Sequence, residues 1–138
     1  MRSRRSPTSV LVADASVLAP AVVDADGDGA RIRGRFRGET IAGPDLLRLE
    51  VVSVLRRQER AGSLTDAEAG AAIAALLDLP IVVFPTAPLL IRAWELRHNL
   101  SSYDACYVAL AEAIGCPLLT ADQRLAAAPG PRCPIEVV

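Results

Sequence analysis

The sequence predicts a single α/β domain whose parallel sheet is covered by helices on both faces. Three observations predict it. Short, unbroken apolar runs, such as those at 9–13 and 81–84, mark strands buried on both sides rather than on one. Segments with apolar residues three and four apart, the helical spacing, lie between those runs. A chain of 138 residues, 51% hydrophobic, has the length and the apolar content for one domain with a substantial core.

Residues 9–13 (Ser-Val-Leu-Val-Ala) read as the first strand and 15–23 as a short helix. Residues 24–38 are polar and rich in Gly, Asp and Arg, and read as a loop with a weak helix near 29–37. A short strand at 39–42 precedes Pro44. Asp45 suits the N-cap of a long helix over 45–61, closed by Gly62. Thr65 caps the next helix, 66–78, with Glu68 placed for a capping box, and Pro80 stops it. Ile81-Val82-Val83-Phe84 reads as a buried strand. Helices follow at 87–98 and 103–114, the second closed by Gly115. Residues 117–120 form a strand, 121–127 a short helix and 135–138 a last strand. No internal repeat, linker or low-complexity tract interrupts this pattern.

Composition narrows the chemistry. All 15 basic residues are Arg, so no mechanism that needs a Lys amine can operate. The net charge of −1 gives no bulk attraction for nucleic acid. The aromatics are few (Phe36, Phe84, Trp94, Tyr103, Tyr107), so the core must be aliphatic. Cys106, Cys116 and Cys133 are odd in number and lack a CxxC pair, which argues against a disulfide framework. With His98 as the single histidine, a His-based zinc site is excluded as well. Reduced thiols predict a cytoplasmic protein. The basic start, Met1-Arg2-Ser3-Arg4-Arg5, looks like the opening of a signal peptide, but the apolar stretch after it carries Asp14 and continues as a strand. It reads instead as a flexible basic extension over 1–8. No apolar run is long enough to span a membrane.

The candidate site is acidic. In open α/β sheets ligands bind beyond the carboxyl ends of the strands. Asp14 directly follows the first strand, and Asp122 follows the strand ending at Thr120. Glu50 lies on or beside the stripe Leu46, Leu47, Val51 and Val54, where an ionised carboxylate is costly without a cation or strong donors. Asp104 opens a helix, where the helix dipole favours an anion. Each has a plainer reading. Asp14 could cap the following helix, Asp104 could box with Ser101, Thr120 could box with Gln123 and leave Asp122 a first-turn acid, and Glu50 could edge toward solvent. The four together are harder to dismiss, and a cluster of hard oxygen donors suits Mg²⁺ or Mn²⁺.

At these residues the sequence resembles PIN-domain ribonucleases, toxins of the VapC type from bacterial toxin–antitoxin pairs. The matching segments are Val-Leu-Val-Ala-Asp-Ala-Ser at 10–16, Gly-Pro-Asp-Leu-Leu-Arg-Leu-Glu-Val at 43–51, Leu-Ser-Ser-Tyr-Asp-Ala-Cys-Tyr-Val-Ala-Leu-Ala-Glu at 100–112 and Pro-Leu-Leu-Thr-Ala-Asp-Gln-Arg-Leu at 117–125. The resemblance implies a five-stranded parallel sheet in the order 3-2-1-4-5, with helices on both sides. It implies that Asp14, Glu50, Asp104 and Asp122 are an acidic quartet holding Mg²⁺ or Mn²⁺, with Asp14 and Asp104 as the most direct ligands. Ser16 and Thr120 match positions that support the site through hydroxyls. It further implies an endoribonuclease that leaves a 5′-phosphate and a 3′-hydroxyl, a homodimer, and a small VapB-like antitoxin as partner. The helices at 45–61 and 66–78 offer the antitoxin a docking surface.

RNA must then be held locally. Arg31, Arg33, Arg35 and Arg37, alternating in a Gly-containing loop, suit phosphate contacts, and Arg124 lies beside Asp122; ordinary solvated surface is the plainer reading of the loop arginines. The run from Asp24 to Gly29 imitates a calcium loop but has Arg35 where a bidentate Glu belongs. Trp94 and His98, four apart, read as packing residues. The alternatives are a degenerate PIN domain, or a receiver-like module, that binds RNA or protein without catalysis. The receiver reading lacks its Lys, and a phosphatase-like hydrolase built on Asp14 would need an acid where Ser16 stands.

Overall fold

The computed structural model describes residues 9–23 and 26–138. Five parallel strands form one sheet: β1 (Ser9–Ala13), β2 (Glu39–Pro44), β3 (Ile81–Phe84), β4 (Leu118–Thr120) and β5 (Ile135–Val137). Their order is β3-β2-β1-β4-β5, as the resemblance implied. β1 is central, with Leu11, Val12 and Ala13 fully buried, which is why its sequence is apolar from Val10 onward. The order reverses at β1: the chain builds outward to β2 and β3 on one side, then returns to place β4 and β5 on the other. The crevice beyond the carboxyl ends of β1 and β4 is therefore the switch point where such sheets bind ligands.

Helices α1 (Ala15–Val23), α2 (Gly27–Phe36), α3 (Leu47–Arg60) and α4 (Asp66–Asp78) pack against one another. On the other side α5 (Leu90–Glu95) packs on α6 (Ser102–Ile114), which lies against β1 and β2. A short helix, α7 (Gln123–Ala127), joins β4 to β5. The capping box at Thr65 and Glu68 is complete in both directions. Gly62 and Gly115 end their helices with positive φ, as their sequence positions predict.

Several boundaries differ from the sequence reading, each for a physical reason. The weak helix expected near 29–37 is present and starts two residues earlier: α2 buries Ile32 and Phe36, which anchor an otherwise polar sequence through tertiary contact. Asp45 does not cap α3. Its amide donates to Phe84 O at 2.8 Å, so the backbone still belongs to the sheet edge there, and the helix starts at Leu47 with Leu46 as its N-cap. β2 runs two residues further than expected, to Pro44, and Gly43 leaves room for Leu47, since a Cβ there would collide with that side chain. The helix expected over 87–98 is a 3-10 turn, Ala87–Leu89, followed by the short α5. β3 is an edge strand with Val82 and Val83 exposed, not a buried one. Trp94 and His98 are both exposed, and the Arg97 guanidinium lies 4.3 Å from the Trp94 ring centre. The basic start and Asp24, the first residue of the calcium-loop imitation, lie outside the described residues.

Candidate active site

Asp14 is the residue immediately after β1 and is only 6% exposed. Burying a carboxylate is unfavourable unless donors satisfy it. Here three do: the Ser16 amide at 3.1 Å, the Ser16 hydroxyl, and the Thr120 hydroxyl at 2.6 Å. Thr120 closes β4, the neighbour of β1, and its side chain is fully buried. Each hydroxyl is held in turn: Ser16 Oγ accepts from the Ala121 amide at 2.9 Å and Thr120 Oγ1 from the Asp122 amide at 3.1 Å. The backbone thus fixes both hydroxyls, and the hydroxyls aim the Asp14 oxygens. Burial raises the Asp14 pKa, and the neighbouring Asp104 adds to this, while the Ser16 and Thr120 bonds pull against it.

Glu50 arrives from the first turn of α3. Its Oε1 accepts a 2.6 Å hydrogen bond from the Tyr107 hydroxyl of α6. Burial raises its pKa, the Tyr107 bond lowers it, and Asp104 and Asp14 raise it further. Tyr107, buried and bonded to a carboxylate, is held well above the usual phenol range and stays a donor. Asp104 stands in the first turn of α6, where its amide donates to Ser101 Oγ at 3.1 Å. Burial raises the Asp104 pKa, and so does Asp122, while Ser101 and Arg124 lower it. Asp122 is the N-cap of α7 and accepts from the Arg124 amide at 2.9 Å. Thr120 does not cap this helix; its hydroxyl is committed to Asp14 and the Asp122 amide.

The structure brings Asp14, Glu50, Asp104 and Asp122 to one open groove of about 500 Å³. No His or Cys lines it, so its donors are hard oxygens. Among the described residues no three acidic, His or Cys side chains form a ready cage for an ion. That arrangement still fits Mg²⁺ or Mn²⁺: Mg²⁺ keeps much of its water and uses one or two carboxylates together with substrate phosphate. Facing carboxylates with raised pKa values, with the exposed Arg124 beside Asp122 as a nearby counter-charge, are the electrostatic signature such a cation would relieve.

Over residues 11–131 the chain matches the sequence model of the PIN domain. The chain belongs to the PIN-domain family. Within it, the chain is 46% identical over 127 residues to Ribonuclease VapC1 of Mycobacterium tuberculosis, covering 88% of this chain and 96% of that protein. It is 39% identical over 129 residues to VapC ribonuclease Mb0985 of Mycobacterium bovis, covering 94% and 98%. Among solved structures, PAE2754 from Pyrobaculum aerophilum superposes with a TM-score of 0.69 at 25% identity, over 94% of this chain and 85% of that one. VapC20 of Mycobacterium tuberculosis, a sarcin-ricin loop cleaving toxin, shares the fold with a TM-score of 0.65 at 21% identity, over 85% and 93%. This PIN domain is thus a VapC-type member of the family, with the fold and the acidic groove described above.

Four of the five arginines expected to hold RNA lie away from the groove. Arg31, Arg33 and Arg35 are on α2 and Arg37 is its C-cap; none lines the groove. Arg31 pairs with Asp28, Arg33 donates to Ala21 O, and Arg35 bridges Glu39 and Glu136. Arg124 is nearby, 94% exposed, with Nε 3.5 Å from Asp122. The groove instead has three side chains that sequence reasoning passed over: Tyr107, Tyr103 and Arg57. Tyr107 sits among apolar residues of α6 and is itself buried, so nothing in its local sequence marks its hydroxyl as part of a site. Arg57 had a legible signal, since it lies seven residues after Glu50, two turns along the same helix face.

Proposed function

We propose that this groove is the catalytic centre of a Mg²⁺- or Mn²⁺-dependent endoribonuclease that acts as the toxin of a toxin–antitoxin pair. The observation that carries the reading is the convergence of four carboxylates, from the ends of β1 and β4 and the first turns of α3 and α6, in one groove. Kinship with the VapC ribonucleases supports RNA phosphodiester hydrolysis as the reaction. Asp14 and Asp104 would hold the ion most directly, with Glu50 and Asp122 completing its surroundings. A divalent ion bound there neutralises phosphate charge and lowers the pKa of bound water.

The protein's own part is positioning. Ser16 and Thr120 orient both Asp14 oxygens and favour its ionised form against burial. Tyr107 does the same for Glu50 while linking α6 to α3. Asp122 is oriented by the amide of Arg124. No lysine and no paired histidines are available for acid–base work, which leaves the carboxylates as the groove's chemical groups.

A small VapB-like antitoxin and a second copy of the chain are the proposed partners. Leu49 on α3 and Ile73 and Leu77 on α4 are exposed apolar residues that suit an antitoxin's apolar face. Three free cysteines suit the reducing cytoplasm. No helix among the described residues is long and apolar enough to cross a membrane. Incubating the purified protein with mixed RNA and Mg²⁺, Mn²⁺ or EDTA tests the reading. Cleavage with either ion, abolished by EDTA and by Asp14→Asn, is the expected result. RNA that stays intact in every lane while binding the protein would identify a degenerate, binding-only domain.

A further inference from the structure

Among the described residues Arg57 is the only cationic side chain lining the acidic groove. It is exposed, and no ion pair or side-chain hydrogen bond engages it among the described residues. This contrasts with Arg35 and Arg92, which are each spent on glutamates. Arg57 lies about 10 Å along α3 from Glu50, on the same face. A cation there is too far along the helix to neutralise the carboxylate cluster at close range. It is well placed for an anion that runs along the groove away from the centre.

The opposite wall carries Tyr103, at the start of α6 next to Asp104. It is 58% exposed, and its hydroxyl makes no hydrogen bond among the described residues. More than half of this aromatic residue is open to solvent beside the groove's carboxylates. A ring of this kind offers a face for stacking, which single-stranded nucleic acid uses irrespective of sequence.

We propose that Arg57 and Tyr103 are the RNA-positioning residues of this groove: Arg57 takes a backbone phosphate beside the scissile one, and Tyr103 stacks an unpaired base. The inference rests on the ribonuclease reading above and adds the means by which a chain of net charge −1 holds a polyanion. It replaces the α2 arginines in that role, since those residues do not line the groove.

The test measures affinity for a short unstructured RNA by fluorescence anisotropy, with Ca²⁺ in place of Mg²⁺, alongside Mg²⁺-driven cleavage. Arg57→Gln should weaken binding about tenfold and lower the slope of log Kd against log salt by about 1. Tyr103→Ala should weaken binding about tenfold without changing that slope, and Tyr103→Phe should restore it. In cleavage, the loss should fall on KM and not on kcat. Unchanged Kd and KM in Arg57→Gln and Tyr103→Ala would overturn the proposal. So would a Tyr103→Phe variant as weak as Tyr103→Ala, or normal RNA binding with weakened binding of a protein partner. Cleavage by the parent protein in any of these cases leaves the ribonuclease reading standing. A parent that neither cleaves nor binds RNA removes both.

Discussion

Tyr107 Oη donates a 2.6 Å hydrogen bond to Glu50 Oε1, joining α6 to α3 where both residues line the acidic groove. Two helices from different layers are thereby locked at the point where their acidic side chains face each other. Burial and the neighbouring Glu50 hold the Tyr107 phenol far above its usual range, so it remains the donor of this bond.

Removing that donor should be felt twice. Tyr107→Phe leaves Glu50 without its bond in a half-buried place. It should cost about 1.5–3 kcal/mol in urea denaturation, the scale for bonds to charged groups. The Mg²⁺ concentration for half-maximal cleavage should rise as well, because Glu50 loses its orientation. A variant with parental stability and parental Mg²⁺ response would show that the bond positions nothing.

The hydroxyls on Asp14 work through a different contact. Thr120→Val keeps the shape of a fully buried side chain and deletes the donor to Asp14 Oδ2. Weakening of divalent-ion affinity by about 10–100-fold is expected, the usual effect of losing a partner behind a ligand. Isothermal titration with Mn²⁺ measures it directly. Affinity equal to the parent's would remove Thr120 from the site.

Relieving the charge cluster should strengthen the fold while ending the chemistry. Asp104→Asn removes one of the facing charges that raise the Asp14 and Glu50 pKa values. Thermal melting without metal should show equal or higher Tm, with cleavage reduced at least about 100-fold. A lower Tm together with retained cleavage would reverse both expectations.

Stability should depend on pH in two opposed windows. Asp14, Glu50 and Asp104 have folded pKa values above the ordinary carboxylate range, burial being the largest cause in each. The folded chain then binds protons more tightly than the unfolded one. Their contribution is complete below the ordinary range and is lost as pH rises through the raised values. Glu136, held down by Arg35, behaves oppositely. So does Glu112, which burial pushes up but Arg92 and the Arg132 amide together bring below its ordinary value. Their contributions are present above the ordinary range and lost as pH falls through the lowered values. The metal-free Tm should therefore rise as pH falls from neutrality toward the ordinary carboxylate range and drop once pH falls below it. Saturating Mg²⁺ should abolish the first rise. A Tm that falls steadily from neutrality would mean the groove carboxylates are not coupled.

Arg92 supplies a structural prediction away from the groove. Its guanidinium spans Glu112 with bonds of 2.7 and 3.1 Å and reaches Gly130 O at 3.0 Å, tying α5 to α6 and to the segment before β5. Arg92→Ala should cost about 2–3 kcal/mol, because it strands a largely buried carboxylate. Cleavage per folded molecule should not change. Denaturation and activity measured on the same preparation separate the two.

The sequence by itself determined the sheet's character, the caps at Thr65, Gly62 and Gly115, and the placing of Asp14 and Asp122. Those features depend on a residue's immediate neighbours: an unbroken apolar run, a cap at a fixed offset, an acid directly past a strand. Tertiary structure turned the weak helical signal near 29–37 into the full helix α2, because Ile32 and Phe36 finding the core offsets its polar composition. It also decided that Asp45 stays with the sheet, that Tyr107 meets Glu50 across 57 positions, and that Thr120 serves Asp14 across 106. Contacts of that length leave no periodicity to read, since their partners become neighbours only once the strands are in register and the helices have packed.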